Sequence, residues 1–142
     1  MDRTGTALGV PVLLLVFTLL LRGWSLGNPN IHVDEQFYAL VGQRMLGGDL
    51  PYVDIFDVKP FGLFLIYAGA AAISGTAVWA YQLAAALAAF ATALTIVQIS
   101  RIFATATASA AVAVAYIAWL SVFEGVGGQS PVFYNLPMSL AA

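Results

Sequence analysis

The chain has 142 residues, of which 61% are hydrophobic and 8% are charged, and its formal net charge at pH 7 is −2. Soluble domains carry about 25% charged residues, so this composition, with a mean hydropathy of +0.91, predicts an integral membrane protein. The chain has no cysteine and one histidine, which excludes a disulfide framework, a thiol nucleophile and a multi-histidine metal site. The small negative charge gives no support for nucleic-acid binding.

The N-terminal segment predicts a first membrane span. Residues 4–21 carry no charge and approach the length of about 20 residues that a spanning helix needs. The sequence Arg22-Gly23-Trp24 follows in place of a small-residue cleavage site, so we interpret the segment as a retained span and not as a signal peptide. We expect Arg22 and Trp24 to anchor its end at the membrane interface.

Most of the charged residues of the chain follow this span. A charge at the centre of a bilayer costs about 2.5–3.5 kcal/mol, so this segment is expected to stay outside the membrane. Residues 22–75 are therefore predicted to form an outer loop that contains short juxtamembrane helices. Its charged residues are Arg22, Asp34, Glu35, Arg44, Asp49, Asp54, Asp57 and Lys59.

Two short helices are predicted within this loop. Residues 33–46 have apolar side chains at helical spacing, which predicts a helix with one apolar face suited to lying on a membrane. Gly47-Gly48 ends that helix, and residues 49–59 are predicted as loop. Residues 60–74 are uncharged but short for a span, which is typical of an interfacial helix. The apolar positions of the helix predicted at residues 33–46 are Val33, Phe37, Leu40, Val41 and Met45.

The remainder of the chain is predicted to cross the membrane twice. Residues 76–100 and 102–123 carry no charge and are long enough to span. Residues 124–135 are predicted as a second outer loop, and 136–142 as the start of another helix, so we expect the chain to be the N-terminal part of a larger protein. The positive-inside rule favours Arg3 and Arg101 in the cytoplasm and both loops outside. The predicted fold class is an all-α, polytopic transmembrane protein.

The pair Asp34-Glu35 opens the first short helix. Acids in a first turn can complement the helix dipole and cap its free N–H groups. They can instead act as a general base or as metal ligands. Adjacent helical residues point about 100° apart, so one acid can face a substrate while the other is structural. Tyr38 can share the face of Asp34; residues of the second loop would join the site only if the two loops meet, and these are Gln129, Tyr134 and Asn135.

Lys59 precedes the interfacial helix. It can be a snorkelling membrane anchor, or its ammonium group can pair with a lipid phosphate at headgroup depth. Asp57 is close enough in sequence to pair with it. Arg44 is expected to snorkel or to pair with a loop acid, and His32 to be an ordinary polar loop residue.

The pattern DEQFYALVGQRMLGGDLPYVDIFDVKP resembles the GT-C superfamily of membrane glycosyltransferases. The similarity is to enzymes that use polyprenyl-phosphate-linked sugars: the protein O-mannosyltransferases and the lipid A aminoarabinose transferases, as in glycosyltransferase family 39. The resemblance implies that Asp34 is the catalytic base with Glu35 beside it, and that Lys59 contacts the phosphate of the lipid carrier. Tyr38, Arg44 and Asp57 would support these groups.

This chain departs from the family pattern at the lysine motif, and residues 127–135 have no clear aspartate where some members carry one. Many members have Lys-Pro-Pro where this chain has Lys59-Pro60-Phe61, and many have Glu or Arg where it has Val58. The resemblance covers residues 8–142 and therefore only the start of such an enzyme.

The resemblance implies sugar transfer, with inversion, from a polyprenyl phosphate to an acceptor hydroxyl of a glycan, lipid or protein. The reaction would take place at the outer face of the cytoplasmic (inner) membrane, in a multi-pass protein surrounded by membrane lipids. A divalent metal ion near Asp34 and Glu35 is compatible with the superfamily but is not required by the sequence. Two alternatives are a polytopic transporter or channel subunit, whose charged loop forms a vestibule, and an inactive truncated fragment of the enzyme.

Overall fold

The computed structural model describes residues 3–123 and 125–142, and their side chains from residue 9 onward. This part of the chain is all-helical, which confirms the predicted α class. A short 3₁₀ turn, Gly23–Ser25, follows the first helix. The α-helices are α1 (Arg3–Arg22), α2 (Val33–Leu46), α3 (Phe61–Ser74), α4 (Val78–Ser100), α5 (Ala106–Val122) and α6 (Ser130–Leu140).

Helices α1, α4 and α5 pack side by side. Leu14 of α1, Ala93 of α4, and Ala113 and Ile117 of α5 form a completely buried cluster. The alanine side chains let the helix backbones approach closely. The end of α1 is hydrogen-bonded to the loop after α5, and the turn after α1 is hydrogen-bonded to the first part of α4. Helices α1 and α5 therefore run in the same direction, and α4 runs antiparallel to both.

Helices α2 and α3 form a close pair beside this bundle. A Cβ atom on Gly42 would lie 2.7 Å from backbone atoms of Tyr67 and Ala68, so only glycine permits this approach. Tyr38 and Val41 are buried in the same core as Phe64. The close packing of the pair fixes the start of α2 relative to the loop that leads into α3.

The apolar stripe predicted on α2 is exposed only in part. Val33, Phe37 and Leu40 are exposed, whereas Val41 is buried toward α3. The buried face also includes Glu35, because the side of α2 that packs on the core is not the side with most apolar residues. The predicted stripe therefore divides into an exposed part and a buried part.

The helix bounds differ from the sequence prediction at two places. Helix α5 begins only at Ala106, because Thr105 caps it by accepting a hydrogen bond from the Ala108 N–H at 3.3 Å. Residues 130–135, predicted as loop, belong to α6. Pro131 lies in the first turn of that helix, where the missing N–H has no intrahelical partner to lose.

One helix of the described chain, Val78–Ser100, is long and apolar enough to cross a membrane. Shorter apolar helices cover Gly9–Ser25, Phe61–Ser74 and Ala106–Val122. A single candidate gives limited support for membrane association.

Candidate functional site

An open cavity of about 330 Å³ lies between the first turn of α2 and the loop that precedes α3. The structure thus brings together three charged residues that the sequence singled out, from two separate segments of the chain. Its lining residues are Val33, Asp34, Phe37, Tyr38, Asp57 and Lys59.

Asp34 is the exposed carboxylate of this cavity. The Tyr38 hydroxyl, one helical turn later, donates to Asp34 Oδ2 at 3.4 Å, so the two side chains share a face as predicted. Burial and the nearby negative charge of Asp34 raise the pKa of Tyr38 to about 12. Tyr38 therefore remains a protonated hydrogen-bond donor at neutral pH. Its ring makes edge contacts with Phe64 and Tyr67, which fix its position.

Lys59 is held from two sides. Its Nζ lies 5.9 Å from the centroid of the Tyr38 ring, within the range of a cation–π contact. Its carbonyl oxygen accepts a hydrogen bond from the Tyr52 hydroxyl at 2.6 Å. Tyr52 is a non-glycine residue in the left-handed region, with φ +70°. The folded loop thus positions Lys59 at the wall of the cavity.

Asp57 also lines the cavity, but it does not form the predicted ion pair with Lys59. Its Oδ1 accepts the neighbouring Val58 N–H at 2.5 Å. Within residues 9–123 and 125–142, the salt bridge present is between Arg44 and Asp49. Arg44 therefore pairs with a loop acid, one of its two expected roles. It lies near the opposite end of α2 and does not line the cavity.

Glu35 is adjacent to Asp34 but lies outside the cavity. Its side chain is 0% exposed, Oε2 accepts from Gln82 Nε2 at 3.3 Å, and Oε1 has no partner of ordinary hydrogen-bond geometry in the described part. Burial raises the pKa of Glu35. The backbone N–H of Gly128, the Gln82 amide, His32 and Arg22 act on this pKa in the opposite direction, and burial outweighs them. The two acids of the motif therefore occupy different environments.

Arg22 is buried, so its predicted role as an interfacial anchor is wrong. It is 2% exposed, and its Nη1 and Nη2 donate to the carbonyl oxygens of Gly125 at 2.5 Å and Gly127 at 2.6 Å. The two carbonyl groups accept two of the five N–H donors of the guanidinium and offset part of the cost of its burial. Trp24, by contrast, is 68% exposed, as an interfacial anchor would be.

The second loop meets the first, which was the condition for its residues to join the site. The Tyr67 hydroxyl donates to the Gly128 carbonyl at 2.7 Å. Ser130, buried at the start of α6, has its hydroxyl beside both Tyr38 and Tyr134. The charges of Lys59 and Asp57 act on Tyr134, although Tyr134 does not itself line the cavity. Asn135 instead donates to the Tyr116 hydroxyl at 3.1 Å.

Arg22, Tyr67 and Gln82 belong to a connected polar group that was not predicted from the sequence. Gln82 carries the one signal that could have found them, because a polar side chain inside a long apolar helix usually faces a protein interior. Tyr67 had no such signal. The partners of Arg22 are backbone carbonyl groups far along the chain, which no side-chain pattern reveals.

The described residues do not fit a metal site. In residues 9–123 and 125–142, no group of three or more His, Asp and Glu side chains could hold a metal ion. Glu35, one of the two expected ligands, is buried and does not line the cavity with Asp34. No step of the mechanism proposed below passes through a metal.

Comparison of the chain with models of protein families, with curated proteins and with solved structures found no match in any of the three. A function for the chain is therefore inferred from the chemistry of the cavity and from the resemblance in the motif around it.

Proposed function

We propose that the chain is part of a polytopic membrane glycosyltransferase of the GT-C type, which transfers a sugar from a polyprenyl phosphate to an acceptor hydroxyl. The observation that carries the proposal is that Asp34 and Lys59 line one open cavity. A cation for a phosphate and an exposed carboxylate for a hydroxyl are the two groups that this reaction needs. The exposed apolar side chains of Val33 and Val58 beside them suit a substrate with a lipid tail.

Lys59 is assigned to the donor phosphate. As the bond between the anomeric carbon and the phosphate oxygen breaks, its electron pair stays on the polyprenyl phosphate, whose negative charge grows. A fixed ammonium group stabilises that charge more in the transition state than in the ground state. Contacts of its backbone with Tyr52 and of its Nζ with the Tyr38 ring hold Lys59 in place before the substrate arrives.

Asp34 is assigned as the general base. The acceptor oxygen forms the new bond to the anomeric carbon, and its proton passes to the Asp34 carboxylate. Attack from the side opposite the leaving phosphate inverts the configuration at that carbon. The Tyr38 hydroxyl orients the carboxylate through its hydrogen bond to Oδ2. Positioned general bases contribute about 10²–10⁴-fold to rate.

The helix arrangement suits three membrane spans with the cavity at one membrane face. At 1.5 Å per residue, α1, α4 and α5 are about 30, 34 and 25 Å long, close to the hydrocarbon thickness of about 30 Å. The end of α1, the start of α4 and the loop after α5 lie at the same end of the bundle as the cavity. Arg101 follows α4 at the other end. With Arg101 in the cytoplasm, the cavity lies at the outer face.

The test is transfer of radiolabelled sugar from a polyprenyl phosphate in membranes that contain the complete gene product. We expect Asp34→Asn to lower transfer by about 100-fold or more while donor binding is kept. Lys59→Ala should weaken donor binding, and Lys59→Arg should restore part of it. Asp49→Asn is the matched control, because the Asp49 carboxylate lies outside the cavity and pairs with the exposed Arg44.

Two outcomes would contradict the proposal. Unchanged transfer in both Asp34→Asn and Lys59→Ala would mean that the motif has a structural role only. Substrate flux that depends on these residues, without sugar transfer by the wild type, would favour the transporter alternative.

A further inference from the structure

A buried polar junction lies behind the cavity and joins α1, α2, α3, α4 and the loop after α5. It is distinct from the cavity, because none of its side chains lines that space. We define the junction by the side chains of Arg22, Glu35, Tyr67 and Gln82 and the backbone of residues 125–128.

Gln82 connects the N-terminal half of the junction. Its Oε1 accepts the Gly27 N–H at 2.7 Å, and its Nε2 donates to the Asn28 carbonyl at 3.0 Å and to Glu35 Oε2 at 3.3 Å. One amide side chain on α4 therefore fixes both the turn after α1 and the first turn of α2. This sets the orientation of the Glu35 carboxylate.

The loop after α5 is fixed by contacts with three side chains. Arg22 binds the carbonyl groups of Gly125 and Gly127, and Tyr67 binds that of Gly128. Gly127 has φ +65°, and the carboxylate of Glu35 occupies the space in which a Cβ atom on Gly127 would lie. Since α6 begins two residues after this contact region, the junction sets where α6 starts.

We propose that Arg22 and Glu35 are positioning residues, which hold residues 125–129 so that Ser130 and Tyr134 of α6 pack behind Tyr38, in the wall of the cavity of Asp34 and Lys59. Ser130 is 3% exposed, with its hydroxyl beside Tyr38. The assignment to sugar transfer depends on the proposed function, whereas the placement of the loop does not.

The placement of residues 125–129 also sets the position of Tyr134 on α6. Its hydroxyl is buried close to the hydroxyl of Ser130, and Lys59 acts on it electrostatically. A donor phosphate held by Lys59 is a stronger acceptor for this hydroxyl than a neutral serine hydroxyl. Displacing the loop therefore weakens donor binding more than it slows the chemical step, which is the signature expected of a positioning role.

The placement can be measured without an activity assay, because the chain has no native cysteine. Ser130→Cys introduces a buried thiol at the start of α6, and Ser109→Cys introduces a matched buried thiol in α5, where the residue is 0% exposed. Each is combined with Arg22→Gln and with Glu35→Ala in the complete gene product, purified in detergent. Maleimide labelling rates are compared with the rate in the denatured chain.

We expect labelling at Ser130→Cys to accelerate at least 10-fold in both backgrounds, while labelling at Ser109→Cys stays slow. Unchanged labelling at Ser130→Cys would overturn the proposal. Equal acceleration at both cysteines would overturn it too, because Arg22 and Glu35 would then support overall packing and not the loop in particular.

Kinetics of the same variants without cysteine give the second readout. Glu35→Ala should raise the KM for the lipid donor about 10-fold with a smaller change in kcat, and Glu35→Gln, which keeps the shape of the side chain, should restore most of the loss. A fall in kcat alone would assign Glu35 a role in the chemical step and overturn its positioning role. Absence of transfer in the wild type would count against the proposed function, and the labelling result would still decide the placement of the loop.

Discussion

Asp34 and Glu35 are neighbours in the sequence, yet Asp34 lines an open cavity whereas Glu35 is completely buried against Gly127. The 100° step of the helix produces this division. The first turn of α2 thereby presents one carboxylate to the cavity and uses the other to join two loops. Substitutions of the two acids should therefore have different effects. A substitution of Asp34 removes a group from the cavity, whereas a substitution of Glu35 alters a buried contact.

The buried state of Glu35 predicts how stability depends on pH. Its pKa is raised above the ordinary value of 4.5, so the folded state keeps a proton that the unfolded state has already lost. Stability from this group is complete below about pH 4.5 and declines as pH rises toward the pKa of the folded state. Glu35→Gln removes this decline, so the variant should gain stability relative to wild type as pH rises from 4.5 to 8.

Thermal unfolding in detergent across this pH range measures the effect, and Asp49→Asn controls for the loss of a half-buried carboxylate outside the polar junction. The difference in unfolding temperature between variant and wild type separates the titration of Glu35 from effects of the groups that face it. These groups are Arg22, His32, Tyr67 and Tyr81. If the stability of the wild type instead rose relative to that of Glu35→Gln as pH increased, Arg22 would stabilise the charged carboxylate more than burial disfavours it.

Gly127 gives a second prediction. An alanine there would be strained at φ +65° and would collide with the Glu35 carboxylate. We expect Gly127→Ala to lower the free energy of unfolding by about 2 kcal/mol or more. Gly69→Ala in α3 is the control, because nothing lies within 4 Å of its Cβ position, and it should be neutral or stabilise by up to about 1 kcal/mol. Similar losses in both variants would argue against a specific contact at Gly127.

The sequence alone predicts the structural features whose determinants are local. Helix α2 has the predicted bounds 33–46, because an apolar period and the pair Gly47-Gly48 define both ends. The shared location of Asp34 and Lys59 was expected from the motif that contains them. The burial of Arg22 could not be predicted, since its acceptors are glycine carbonyl groups that come into reach only after α1 and α5 have packed.

The start of α6 shows a different limit. Pro131 was interpreted as a loop residue, but proline is equally favoured in the first turn of a helix. Whether Pro131 lies in a loop or in a helix depends on the burial of Ser130 and Val132 in the core, which is a consequence of tertiary packing. Local sequence alone could not decide between them.

Tyr38 gives a third prediction, about the orientation of the base. Tyr38→Phe keeps the ring contacts with Phe64 and Tyr67 but removes the hydroxyl that donates to Asp34. A hydrogen bond to a charged group contributes about 1.5–3 kcal/mol, and the 3.4 Å distance indicates the lower end, so transfer should fall about 10-fold. Tyr116→Phe, which removes a hydroxyl bonded to Asn135 and outside the cavity, is the control. Equal effects of the two substitutions would remove Tyr38 from the mechanism.

The salt bridge between Arg44 and Asp49 gives a fourth prediction. Arg44 is 57% exposed in this pair, and exposed pairs contribute about 0–1 kcal/mol. Arg44→Ala should therefore change the free energy of unfolding by less than about 1 kcal/mol, and by still less at high salt because the pair is screened. Chemical denaturation at two salt concentrations measures both effects. A larger, salt-independent loss would mean that the aliphatic part of Arg44 contributes through packing.

The last prediction concerns the membrane arrangement. If α1, α4 and α5 all span, Asn30 lies at the cavity end of the bundle and Ala104 at the opposite end, and both are exposed. In intact cells, a membrane-impermeant maleimide should label Asn30→Cys but not Ala104→Cys, and both should react after the membrane is opened. The cysteine-free wild type is the background control. Labelling of both sites from outside would mean that α4 does not cross the membrane, and the cavity could not then be assigned to one membrane face by this arrangement.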